Sequence, residues 1–105
     1  MNTAEAQIGQ LVRSAAGRDK GKTYLIYDVL DEAFVRVIDG EKKRLTNPKR
    51  KNVKHLELLP VKAEVIADKL GRGEAVTEVE VVEAVRQLGL SHKDFLSRTK
   101  GRVNA

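Results

Sequence analysis

The chain has 105 residues, with 20 Lys or Arg against 15 Asp or Glu for a formal net charge of +5, and it contains 2 histidines and no cysteine. That length suits one small domain with a modest core and excludes a roomy catalytic cleft. Without cysteine there are no disulfides or thiolate metal sites, His55 and His92 are too scattered for a metal centre, and no apolar run approaches the roughly 18 residues of a membrane span. The opening MNTAEAQIGQ lacks the charged-then-apolar order of a signal peptide, so the cytoplasm is the expected location. The positive balance points to an acidic partner such as nucleic acid.

Residues 8–60 carry short apolar runs separated by turn signals, the pattern of a small β-barrel. The first strand is expected over Ile8 to Ser14 and ends in residues 15–21, where glycines take positive φ at little steric cost. The stretch AGRDKGKT resembles a phosphate-binding loop, but Gly17 and Gly21 are one residue too close and a strand follows where a helix is required. Lys22 to Leu30 is rich in β-branched, aromatic and aliphatic residues and predicts the second strand. Asp31-Glu32 turns the chain into a third, Ala33 to Ile38. Asp39-Gly40 is a strong two-residue hairpin signal, which folds that strand back onto Lys43-Arg44-Leu45. Pro48 has no amide to donate and is expected to interrupt the ladder until Val53 to Leu59 resumes it.

After Pro60 the period becomes helical: Ala63, Ile66, Ala67 and Leu70 share a face, and Gly71 and Gly73 end the segment. Thr77-Glu78-Val79-Glu80 fits a capping box and opens a helix from about Glu78 to Leu88, with Val82, Val85 and Leu88 available for packing and Gly89 closing it. Ser91 to Asp94 is expected to cap one short turn before the basic tail, residues 98–105. The expected fold class is mostly β with an α appendage. A small SH3-like barrel over 1–60 folds by itself, a helical hairpin of two short helices covers 61–90, and a short turn with a basic tail covers 91–105.

The sharpest functional feature is KKRLTNPKRKNVK, residues 42–54, with seven Lys or Arg and no acid. Such a cluster binds a polyanion by releasing condensed counterions and carries little sequence information. The candidate RNA-binding residues are Lys42, Lys43, Arg44, Lys49, Arg50, Lys51 and Lys54, with Asn47 and Asn52 as neutral groups for sugar or base edges. Arg18, Lys20, Gly21 and Lys22 of the first turn extend the set. The plainer reading is a solvated loop. Tyr24, Tyr27 and Phe34 serve either as core or, one of them, as a base-stacking surface. No nucleophile–base pair, metal cluster or cofactor motif marks an enzyme. The competing function is a protein-interaction module, because Glu74, Glu78, Glu80 and Glu83 give the helices an acidic stretch suited to a basic protein partner.

Gly9, Val12, Gly17, Lys20 and Gly21, in GQLVRSAAGRDKGK, have the spacing of a KOW motif. The likeness continues through YLIYDVLDEAFVRVIDG and NPKRKNVKHLEL, over about residues 7–59. There the chain resembles the fourteen-e group of large-subunit ribosomal proteins of archaea and eukaryotes and the small bacterial KOW-domain proteins akin to them. Tyr24 stands where the general motif often has another glycine. The resemblance implies an SH3-like barrel that binds ribosomal RNA through its loops, with Gly21 required by the motif's turn. It implies a ribosome-associated, non-enzymatic protein. The opening turn predicts a negative result: equilibrium dialysis with ATP or GTP should show no micromolar binding that Lys22→Ala removes.

Overall fold

The computed structural model describes residues 3–104, with side chains as far as His92. Five strands, β1 (Gln10–Ser14), β2 (Thr23–Val29), β3 (Phe34–Ile38), β4 (Lys49–Asn52) and β5 (Leu56–Lys62), form one antiparallel sheet in the order β4-β3-β2-β1-β5. The first four are a meander. β5 then returns to β1, with Val12 opposite Leu58 and Ser14 opposite Leu56. The two edge strands are joined by the single 3-10 turn Val53–His55, so the sheet must curl until its edges lie a few residues apart. No ladder joins β4 to β5 among the described residues, and the sheet is open along that seam. Strand number and antiparallel pairing agree with the sequence reading; hydrogen-bonded closure into a barrel is not part of this sheet.

The period of two along each strand divides the apolar residues between two faces. Val12, Tyr24, Ile26, Val35, Val37 and Leu56, all from the strands, form one cluster, with Ala6 and Leu58 packed against it. Leu11, Leu25, Ile38 and Leu59 form the other, completed by Ile66 and Val81 from two helices, α1 (Glu64–Gly71) and α2 (Glu78–Asn104). Pro60 lies on the edge strand β5, where a missing amide is tolerated. The β1–β5 register shifts beside it, and the Gln10 side chain donates to the Leu59 carbonyl at 3.0 Å.

α2 opens as the sequence predicts. The Glu80 amide donates to Thr77 Oγ1 at 3.1 Å, and the Thr77 amide donates to the Glu80 carboxylate at 3.2 Å. Its far end differs from expectation: the helix is not short and does not close at Gly89, but runs on to Asn104 with no separate capped turn at Ser91. A glycine inside a helix costs only about 1 kcal/mol, too little to stop one by itself. The side chains of the basic end, 93–105, lie outside the described residues.

The fourth strand also moves. Asp39-Gly40 does not make a two-residue hairpin, and Lys43-Arg44-Leu45 is not a strand; the connection spans 39–48, and pairing resumes immediately after Pro48 as β4. The Asp39 carboxylate accepts from the amides of Glu41 and Lys43, both at 2.9 Å, which holds the loop in place of a ladder. Gly40 has the positive φ expected, 82°, and a second, long-range reason to be glycine. A Cβ there would lie 2.5 Å from the Glu78 carbonyl, so the loop and the start of α2 approach as only glycine allows.

Since strands and helices share one cluster, Ile66→Ala is expected to cost about 2–4 kcal/mol and to lower the stability of both together. Urea unfolding followed by helical circular dichroism and by amide exchange in β1 should shift by the same amount. A shift confined to the helical signal would show that the sheet is stable without α1 and α2.

Candidate nucleic-acid interface

The turn between β1 and β2 is built by two glycines and an inward-facing acid. Gly17 and Gly21 have φ of 84° and 91°, and the Gly21 amide donates to the Ser14 carbonyl at 2.8 Å. This reversal turns the Asp19 carboxylate inward. It accepts from Ser14 Oγ at 2.8 Å, from the Tyr24 hydroxyl at 2.7 Å and from Lys51 Nζ at 2.7 Å. Burial pushes this carboxyl up, but the hydrogen bonds from Lys51, Tyr24 and Ser14 and the lysine charge outweigh it and hold Asp19 well below its usual 3.8. Burial, followed by the hydrogen bond and charge of Asp19, pushes the Tyr24 phenol well above its ordinary value, so it stays a neutral donor.

Through Lys51, the acid ties β4 to the first turn across the curl of the sheet. A cleft of about 430 Å³ results, lined by Ala16, Gly17, Arg18, Asp19, Lys43, Lys49, Lys51 and His55. Two segments that the sequence marks separately, 16–22 and 42–54, thus meet in one basic concavity whose single acid is already neutralised. A second cleft, of about 450 Å³, lies between Gly21, Lys22 and Lys42 and the α2 residues Val82, Val85 and Arg86, and carries Asp39 and Glu41 as well. Lys20, Arg44, Asn47, Arg50, Asn52 and Lys54 line neither.

The candidate cations fall into two sets. Lys51 pairs with Asp19, Arg44 lies 3.8 Å from the Glu78 carboxylate, Lys43 sits 4.8 Å over the Tyr24 ring and Arg50 4.0 Å over that of Phe34. By contrast, Arg18, Lys20, Lys22, Lys42, Lys49 and Lys54 are exposed and have no ion-pair partner among the described residues. Asn52 caps the 3-10 turn, accepting from the Lys54 amide at 3.0 Å, and Asn47 is exposed in the 39–48 loop. Gly21 is exposed, with no atom within 4 Å of where a Cβ would stand, so the backbone of its turn is open to a ligand.

The acidic stretch of the helical part is used internally. Glu78 accepts from the Leu45 amide at 2.9 Å, Glu80 pairs with Lys69 at 2.8 Å, Glu83 with Arg86 at 2.8 Å and Glu74 with Arg72 at 3.0 Å. Among the described residues no group of side chains could hold a metal ion, and no helix is long and apolar enough to cross a membrane. Sequence reasoning missed Asp19 and Ser14 as organisers of the site and His55 as part of its wall. An acid inside a basic turn gave no sign of a lysine so far along the chain.

No family model matches the chain. Among curated relatives, the large ribosomal subunit protein eL14 of Staphylothermus marinus is 38% identical over 87 residues, which covers 81% of each chain. The same protein of Desulfurococcus amylolyticus is 36% identical with equal coverage. That of Sulfolobus acidocaldarius is 30% identical over 90 residues, 86% of this chain and 84% of its own. The chain belongs to the eL14 family. Alignments of this length cannot be confined to positions 7–59, so the eL14 likeness takes in helical residues as well as the strands.

In this eL14-family chain the Asp19 network sets a pH-dependent stability. Since the folded carboxyl titrates below its unfolded value, its contribution is complete above about pH 4 and is lost as pH falls through the depressed folded value. Asp19→Asn is expected to cost about 2–3 kcal/mol at pH 7, by leaving Lys51 unpaired. Urea midpoints of the variant and the parent should converge at strongly acidic pH, where the parent's Asp19 is protonated.

Proposed function

We propose that this chain is a non-catalytic RNA-binding component of the ribosome, held on ribosomal RNA by its basic cleft and the cations around it. The observation that carries the reading is the set of six exposed Lys and Arg side chains without ion-pair partners among the described residues, of which Arg18 and Lys49 line the cleft of the already neutralised Asp19 and Lys22 and Lys42 line the second. Uncompensated cations of this kind gain most from a phosphate backbone, through counterion release, and act with little regard to base sequence. The eL14 relatives are proteins of the large ribosomal subunit, which supports that subunit's RNA as the partner and the cytoplasm as the place.

In this reading the curled sheet is the SH3-like barrel of KOW proteins. Residues 1–60 carry the RNA contact, and α1 and α2 support it. Arg18, Lys20 and Lys22 hold one stretch of backbone and Lys42, Lys49 and Lys54 another, while Gly21, with open space where a Cβ would stand, lets RNA approach the turn closely. Lys43, Arg44 and Lys51 add charge but chiefly shape the surface. The protein-interaction reading draws no support from the acids meant to carry it, since Glu74, Glu78, Glu80 and Glu83 have partners within the chain.

Changing Arg18, Lys42 and Lys49 together to Gln should leave the fold intact and weaken binding to structured ribosomal RNA. The plot of log affinity against log salt should flatten by about two to three units, one near 0.7–0.9 for each lost phosphate contact. Cosedimentation with large ribosomal subunits should fall in parallel. A folded triple variant with the parent's affinity and slope would assign this face to solvent.

A further inference from the structure

The Arg50–Phe34 cation–aromatic pair lies outside both clefts. Phe34 lies opposite Asn52 and Arg36 opposite Arg50, so Phe34 and Arg50 are diagonal neighbours on one face of the β3–β4 pair. The Arg50 guanidinium sits 4.0 Å over the centre of the half-buried Phe34 ring, while Arg50 itself is exposed. Beside it Arg36 lies 5.4 Å over Tyr27 and is clamped by the Asp28 carboxylate. The helices cover Leu25 and Ile38 farther along this face, whereas Phe34 and Arg50 lie outside that cluster.

The charge around the pair decides what it can take. The Asp31 carboxylate, held by the amides of Ala33 and Phe34 at 2.8 and 2.9 Å, stands at the backbone of the Phe34 whose ring carries Arg50. A phosphate beside Arg50 would meet that carboxylate, but a neutral base would not. Lys54 stands a few residues along the chain, exposed and without an ion-pair partner among the described residues, and Lys49 projects from the other face of β4 into the cleft, where it can meet the backbone leading to that base.

We propose that Arg50, seated on Phe34, is a stacking platform for an unpaired base of the bound RNA. The guanidinium carbon already lies over the ring and Arg50 is exposed, so a guanidinium laid parallel to the ring would offer its outer face to a nucleobase, a mode in which proteins take bases from loops, bulges and single-stranded ends. This deepens and rests on the RNA-binding reading: it gives the ligand a single-stranded element beside the backbone that the cleft holds.

The test uses the full chain and a short single-stranded RNA carrying a fluorescent purine at successive positions. Binding should quench the probe at one position. Arg50→Lys keeps the charge and loses the plane, so affinity should fall by about fivefold to a hundredfold, quenching should vanish, and the salt slope should not change. Phe34→Leu, which removes the ring below, should repeat that loss. Binding and quenching by Arg50→Lys equal to the parent's would overturn the platform. So would an unaffected Arg50→Lys beside an Arg50→Gln that flattens the slope, because Arg50 would then be an ordinary phosphate contact. A parent protein that binds no RNA at all would instead bring down the RNA-binding reading itself.

Discussion

The Asp19 carboxylate draws Ser14 from β1, Tyr24 from β2 and Lys51 from β4 onto two oxygen atoms. In the sheet β4 and β1 are separated by two other strands, so this link crosses the curl rather than following the ladder. A charge held largely away from water is costly unless donors surround it, and here three do. The turn, the buried tyrosine and the edge strand therefore settle into one arrangement together, and the cleft between them takes its shape from that arrangement.

This constraint divides the basic residues by role. A lysine that neutralises an inward acid, or an arginine laid over a ring, has its position fixed and much of its field compensated. Lys49, with no ion-pair partner among the described residues, keeps its full field, although it is two residues from Lys51 on the same strand. A surface meant for a polyanion needs both kinds, since pinned cations define a geometry and free ones supply the attraction. Composition counts them alike.

Much of this was legible in the chain because it is local. Alternating apolar residues and glycine turns mark β1, β2 and β3 within a residue or two, and Thr77 and Glu80 announce the start of α2 three positions apart. What stayed hidden depends on distant partners. β4 reads as a loop because KRKN holds no apolar residue, and an edge strand bordered by β3 alone needs none. Gly40 reads as a hairpin glycine because its positive φ is a local property, while the carbonyl of Glu78 that requires it lies far along the sequence. The concentration of charge over 42–54 was visible from the start. Which of those charges are spoken for was not, because Asp19, Phe34 and Glu78, which hold them, carry no local signal.

The contact of Gly40 with α2 bears on entropy as well as shape. The connection 39–48 has no ladder of its own, yet the Asp39 carboxylate, the Glu78 bond to the Leu45 amide and the seat beneath Gly40 pin it at several points. Fixing a residue's backbone costs about 1–2 kcal/mol, and here folding rather than the ligand bears that cost. If Lys42 holds RNA as proposed, α2 would raise that affinity by preorganising the loop, without a phosphate contact of its own. The linkage is reciprocal: an RNA held by Lys42 would in turn tighten the docking of α2 on the sheet.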